Sequence, residues 1–312
     1  MSDLQPAVYS PGLCAYRGRF APSPTGRLHF GSLVAAVGSY LQARRAQGKW
    51  LVRIEDLDPP RAVPGAAEQI LTTLQAFGFI WDEPVVYQSA RTELYEQALR
   101  TLIERGQCYR CSCTRSELQA LHGGVADNSE ELRYPGYCVN GPLRAQGPHA
   151  WRLRVPEDPI CFRDGLQGEH CLDLHDSIGD FIVKRRDGWF AYQLAVVVDD
   201  DAQGITEVVR GADLLLNTPR QIALQRALGM HTPDYMHLPL VTDAHGHKLA
   251  KSTAAAPIDD NQTGQTLWQA LRILRQAPPP ELQSEAPRVI WQWATSHWNV
   301  STLKGLRDLP VA

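Results

Sequence analysis

No stretch of the chain approaches the roughly 20 consecutive apolar residues of a membrane-crossing helix. The opening, MSDLQPAVYSPGLCAYRGR, lacks both the basic start and the continuous apolar run of a secretory signal. A soluble cytoplasmic protein with reduced thiols and no membrane partner is the expectation. Charge of one sign is also scarce: 31 Lys and Arg against 34 Asp and Glu leave a formal net charge of -3. Bulk attraction to nucleic acid is therefore excluded, although a local basic face is not. There is no internal repeat, no G-x-x-x-x-G-K-[ST] and no G-x-G-x-x-G, so neither a Walker loop nor a dinucleotide fingerprint is present.

What is there suits an enzyme. The 312 residues exceed a typical single domain and are 44% hydrophobic, which implies one sizeable core carrying an insertion or appendage. YRGRFA (16–21) reads as a short strand, GSLVAAVGSYLQARRAQG (31–48) as a helix with Arg44, Arg45 and Gly48 at its end, and WLVRIED (50–56) as a strand stopped by Pro59 and Pro60. Strand, helix, strand predicts a βαβ unit and a parallel sheet. Residues 65–105 read as two helical pieces broken at FGFIWDEP, and 106–175 as an irregular insertion. WFAYQLAVVVDD (189–200) reads as a buried strand because its middle is almost continuously apolar. The segment from Ile205 to Gly229 reads as strand, turn and helix, and the last 61 residues as helical.

Between the first strand and helix lies RFAPSPTGRLHFGS (19–32), rich in turn formers and polar groups. A loop shaped by Pro and Gly that leads into a helix N-terminus suits an anion, most often phosphate, because the first N–H groups of a helix are unpaired and carry partial positive charge. Taken alone, a plain turn with a surface histidine would explain it equally well.

Other residues shift that balance. The run His29, Phe30, Gly31, Ser32 resembles the His-Ile-Gly-His signature of class I aminoacyl-tRNA synthetases in its glutamate-enzyme form, and HKLAKS (247–252) resembles their KMSKS loop, with Ala250 in place of the central serine. RIEDLD (53–58), AVVVDD (195–200) and GITEVVRGADLLLNTPRQ (204–221) are similar to segments of glutamyl-tRNA synthetases. The resemblance covers roughly residues 17–252. It implies an α/β fold: a class I, Rossmann-type parallel sheet with an inserted zinc-containing α+β subdomain and a short helical C-terminal region. The units expected are a loose leader (1–16), two halves of the catalytic domain (17–105 and 189–252), an acceptor-type insertion (106–188) and the tail (253–312). Since 61 residues cannot supply a large helical anticodon-binding region, the chain looks most like the shortened branch of this family, which attaches glutamate to queuosine in the anticodon loop of tRNA(Asp). Ala212 and Leu214, where charging enzymes usually carry an acid and a histidine, point the same way. Charging of a tRNA 3′ end and a catalytically silent binding module are the rival readings.

Activating an amino acid requires its carboxylate to attack the α-phosphorus of ATP. The carboxylate is already ionised, so positioning and charge stabilisation carry the step. The resemblance implies catalytic roles for His29 and Lys251, with Gly31, Ser32 and Lys248 also at the ATP, and Mg²⁺ arriving with the nucleotide. Glutamate, with two carboxylates and an ammonium, needs two guanidinium-type donors and an acid. The residues implied are Arg19, Phe20, Ala21, Pro22, Ser23, Glu55, Tyr192 and Arg210. Which arginine takes which carboxylate is open at this stage.

Seven cysteines are an odd number, and a tight group in a reducing compartment suggests metal more than disulfides. Cys111, Cys113 and Cys138 with Tyr134 resemble the family's structural zinc site, one ion with a tyrosine as fourth ligand. By spacing alone Cys108, His122 or Asp127 could substitute.

Overall fold

The structure is a computed structural model that describes residues 15–121, 132–243 and 258–311. In chain order its elements are β1 (Arg17–Phe20), α1 (Phe30–Arg45), β2 (Lys49–Ile54), α2 (Ala66–Ala76), β3 (Val86–Tyr87), α3 (Thr92–Glu104), β4 (Cys108–Cys111), α4 (Arg115–Leu121), β5 (Ala150–Leu153), β6 (Ile160–Asp164), β7 (Gly168–Leu172), α5 (Leu174–Ser177), β8 (Ile182–Lys184), α6 (Tyr192–Ala202), β9 (Glu207–Gly211), α7 (Thr218–Leu228), β10 (Asp234–Leu238), β11 (Leu240–Thr242), α8 (Thr263–Ile273), α9 (Pro287–His297) and β12 (Asp308–Pro310).

The first βαβ unit is as the pattern predicts: β1 pairs in parallel with β2, and β2 with β3. α1 crosses between them and lies directly on the sheet, because Gly38 leaves room for Leu238; a Cβ there would stand 2.5 Å from that side chain. On the other side β9, β10 and β6 run parallel, and β7 closes the edge as an antiparallel hairpin partner of β6. β1 and β9 are tied at one end by the Thr206 N–H donating to the Arg17 carbonyl at 2.9 Å. The chain thus leaves this seam in opposite directions, β1 to β2 on one side and β9 to β10 on the other. Crevices at such a switch point, beyond the carboxyl ends of the strands, are where open α/β sheets bind ligands.

Four differences from the sequence reading stand out. Residues 192–202 form helix α6 rather than a buried strand, and Gln193 through Asp200 are all buried. A short apolar run is compatible with either state, and packing between α3 and α7 chooses the helix. The segment read as irregular supplies strands to two different sheets. β4, β5 and β8 make a separate antiparallel sheet, whereas β6 joins the main sheet through Asp164 opposite Tyr235. The tail is more than helical, since β12 pairs in parallel with β11, and Leu267, Leu271, Ile290, Trp291 and Leu309 join the same core as α1 and β2. Lastly, Cys161 and Cys171 are joined by a disulfide, against the expectation of reduced thiols. They are register partners across the β6–β7 hairpin with Cα atoms 4.0 Å apart, a proximity that linear spacing does not display. No helix among the described residues is long and apolar enough to cross a membrane.

Candidate active site and cysteine cluster

A cavity of about 590 Å³ opens at the carboxyl ends of β1 and β9. The end of β1 and the loop after it contribute Arg19, Phe20, Ala21, Pro22 and Ser23, β2 is followed by Glu55, α6 begins with Tyr192, and β9 contributes Arg210. His29 and Ser32 line the same cavity and, with Gly31, an adjoining pocket of about 210 Å³. All eleven residues implied for glutamate or for the start of α1 thus border two adjoining spaces that share His29 and Ser32. Lys248 and Lys251 lie outside the described residues.

His29 caps α1. Its Nδ1 accepts the Ser32 N–H at 3.2 Å and its Nε2 meets Ser32 Oγ at 2.8 Å, so the ring is fixed on the helix start that faces both spaces.

Arg19 is buried at the end of β1. Its Nε and Nη2 donate to the two carboxylate oxygens of Asp200 at 3.2 and 3.5 Å, which leaves the Nη1 end of the guanidinium for a ligand. Asp200 also pairs with Arg53 Nη2 at 2.8 Å. Burial opposes the Asp200 charge, yet Arg19 and Arg53 together hold its pKa below the ordinary value. Arg53 reaches the Glu55 carboxylate at 3.5 Å and Gln203 at 2.7 Å. Glu55 is shifted the other way: burial raises its pKa against the pull of Arg53 and Arg19. An ammonium group entering beside Glu55 would favour its charged form. The Tyr192 hydroxyl is raised by burial and then by Glu55, so it stays protonated and able to donate.

Arg210 is held differently. Its Nε donates to His237 Nε2 at 3.0 Å, Nη1 to Gln221 at 2.9 Å and Nη2 to Thr218 Oγ1 at 2.9 Å, all neutral acceptors. The sequence reading missed Arg53, Asp199, Asp200, His237 and Asp164 as individual contributors. The acids closing AVVVDD and the lone histidine in MHLPLV were the only signals: polar groups set in apolar runs.

The cysteines form a centre of their own. The thiol sulfurs of Cys111, Cys113 and Cys138 lie within 4.8 Å of one another, in a small apolar cluster separate from the two larger ones. Cys113 and Cys138 Sγ are 3.7 Å apart, and Tyr134 Oη is 3.4 Å from Cys111 Sγ and 3.9 Å from Cys113 Sγ. A tetrahedral ion with metal–sulfur bonds of about 2.3 Å has sulfur–sulfur edges of about 3.8 Å, so the donor set could hold such an ion. Burial disfavours the Cys138 thiolate, but the N–H groups of Leu143 and Ser112, with Tyr134, bring its pKa down to about 6. Cys108 is buried in another cluster. His122 and Asp127 lie outside the described residues.

Residues 15–273 match the family model for class I tRNA synthetases (E and Q), catalytic domain. A protein from Chromobacterium violaceum named Glutamyl-Q tRNA(Asp) synthetase is 52% identical over 95% of this chain and 98% of its own length. One of the same name from Dechloromonas aromatica is 53% identical over 91% and 94%. The chain belongs to the glutamyl-Q tRNA(Asp) synthetase family of class I synthetases. It is therefore a ligase-type enzyme, and its family works with ATP and Mg²⁺. The glutamate-tRNA synthetase of Elizabethkingia anophelis superposes with a TM-score of 0.80 over 95% of this chain and 68% of that one; at 22% identity it shows the shared fold.

Proposed function

We propose that the protein activates L-glutamate with ATP, without help from tRNA, and transfers the glutamyl group to queuosine in the anticodon loop of tRNA(Asp). The observation that carries this reading is the convergence of two buried arginines and the Glu55 carboxylate, its side chain 8% exposed, at the switch point, the charges a dicarboxylate amino acid requires. The relatives' shared name supports the acceptor.

In the first step an oxygen of the α-carboxylate forms a bond to the α-phosphorus of ATP while the bond to pyrophosphate breaks. In the second a queuosine hydroxyl attacks the activated carbonyl, its proton is released, and AMP leaves. Arg19 offers an unused guanidinium end to one carboxylate, Arg210 turns toward the other, and Glu55 receives the ammonium. The α1 N-terminus with His29, Gly31 and Ser32 faces the phosphates, and Lys248 and Lys251 add mobile cations. Mg²⁺, carried in on the phosphates of ATP, neutralises part of their charge. Zn²⁺ would be held by Cys111, Cys113, Cys138 and the Tyr134 oxygen, a closed shell that braces the β4–β5–β8 sheet. The proposed boundaries are a leader to residue 16, catalytic halves at 17–105 and 189–252, an acceptor-side segment at 106–188 whose β6–β7 hairpin packs into the catalytic sheet, and a tail from 253.

The test is ATP–pyrophosphate exchange with glutamate in the absence of tRNA. Incubation with labelled glutamate and queuosine-containing or queuosine-free tRNA, followed by mapping of the labelled nucleotide, then identifies the acceptor. Exchange without tRNA and label confined to queuosine are expected. Label at a 3′ end in the queuosine-free pool would establish the charging reading, and absence of any exchange would establish the silent one.

A further inference from the structure

Arg210 has no carboxylate partner among the described residues: His237, Gln221, Thr218 and the Leu214 carbonyl accept its hydrogen bonds. An acid is nevertheless close behind. His237 Nδ1 meets Asp164 Oδ2 at 2.5 Å, and both side chains are 0% exposed. The other oxygen, Oδ1, accepts the N–H groups of Leu166 and Gln167 at 2.9 Å and of His237 at 3.1 Å. These contacts fix the tautomer. Arginine Nε only donates, so His237 Nε2 must accept, and the single proton of a neutral ring sits on Nδ1 facing Asp164. Burial, and then the Arg210 charge, favour that neutral ring over the attraction of Asp164.

We propose that Asp164 and His237 are positioning residues for glutamate recognition, a relay that fixes the Arg210 guanidinium while a neutral ring keeps the acid from neutralising it. This rests on the reading of Arg210 as a glutamate-binding side chain. The contrast is Arg19, whose charge is met head-on by Asp200. An acid placed directly on Arg210 would compete with the ligand carboxylate, whereas an imidazole passes on orientation without a full opposing charge. The acid comes from β6, in the segment after the cysteine cluster, so the strand that returns to the main sheet takes part in choosing the amino acid.

Asp164→Asn separates this role from plain packing. The three backbone N–H groups require the amide oxygen, which turns the NH₂ toward His237 Nδ1 and drives the ring proton to Nε2, donor against donor at Arg210. The KM for glutamate in the exchange assay, run with queuosine-containing tRNA present, is expected to rise about 10-fold or more, as for loss of a hydrogen bond to a charged group. The kcat and the KM for ATP should stay within about threefold, a split that general loosening would not produce. Adding His237→Gln to Asp164→Asn should recover much of the loss, because a glutamine oxygen accepts from Arg210 without a tautomer. An unchanged glutamate KM in a folded Asp164→Asn protein, or no recovery in the double variant, overturns the relay. Should Asp164→Asn fail to fold, His237→Gln and His237→Leu are compared instead: the leucine variant is expected to have the higher glutamate KM, and equal values overturn the proposal. A wild-type enzyme that shows no glutamate-dependent exchange overturns the functional reading itself, and the relay with it.

Discussion

The two walls of the cleft hold an arginine in opposite ways. On the β1 and α6 side Arg19 sits in a lattice of full charges: Asp200 bridges Arg19 and Arg53, and Asp199 accepts from Gln88, Tyr95 and Arg91 at 2.8, 2.8 and 2.5 Å. On the β9 side Arg210 rests on neutral acceptors, with its acid one imidazole away. Buried opposite charges that touch are bound into the fold, and removing one leaves the others desolvated and unpaired. A buried cation on neutral acceptors keeps its field for whatever enters. On the proposed reading of Arg210, the first wall is built mainly to hold together, and the second mainly to bind.

Four measurements would break or sharpen this contrast. The largest effect is expected from Asp200→Asn, which strips the acid from two buried arginines and should cost about 3 to 5 kcal/mol of unfolding free energy in urea. A loss below about 1 kcal/mol would show that water reaches this lattice and that the walls are alike.

The next is a pH effect on the second wall. His237 titrates at about 4 in the folded protein instead of 6.5, first because it is buried. Between those values the unfolded chain binds more protons, so stability should fall as pH drops from 6.5 toward 4, by up to about 1.4 kcal/mol per pH unit. Asp164, held below its ordinary carboxylate value, adds a further loss in more acid solution. His237→Gln should flatten the upper part of this slope; an identical profile would remove His237 from the account.

Arg210→Gln should weaken glutamate binding by roughly 10- to 150-fold while lowering stability less than Asp200→Asn does. Equal glutamate affinity in calorimetry would move recognition wholly to Arg19. The smallest effect on the cleft is expected from Cys138→Ser. Bound metal should be lost, as read by metal analysis, while the glutamate KM changes by less than about twofold, because these cysteines share no apolar cluster with the cleft residues. A large rise would couple the two sites.

Much of the first wall was legible before any fold was known. RFAPSPTGRLHFGS lies in a βαβ unit, where local periodicity, turn residues and cap chemistry all agree, and Arg19, His29 and Glu55 stand there at short spacing. Cys111 and Cys113 were legible for the same reason. The second wall was not. Arg210 stood in a recognisable segment, but its supports come from β6, β10 and α7, with Asp164 and His237 separated by 73 residues. α6 was misread because a short apolar stretch says that it is buried without saying how its backbone hydrogen bonds are made.

By itself the sequence determined what local chemistry can carry: the βαβ start, the polar loop at the α1 N-terminus and the close pair Cys111 and Cys113, since each depends on residues near one another in the chain. Tertiary structure alone decided that 192–202 is a helix, that β6 returns to the main sheet, that Cys161 faces Cys171, and that one arginine meets an acid while the other meets a neutral ring. Those outcomes depend on which distant segments are brought within hydrogen-bonding distance after desolvation, and no spacing along the chain encodes that distance.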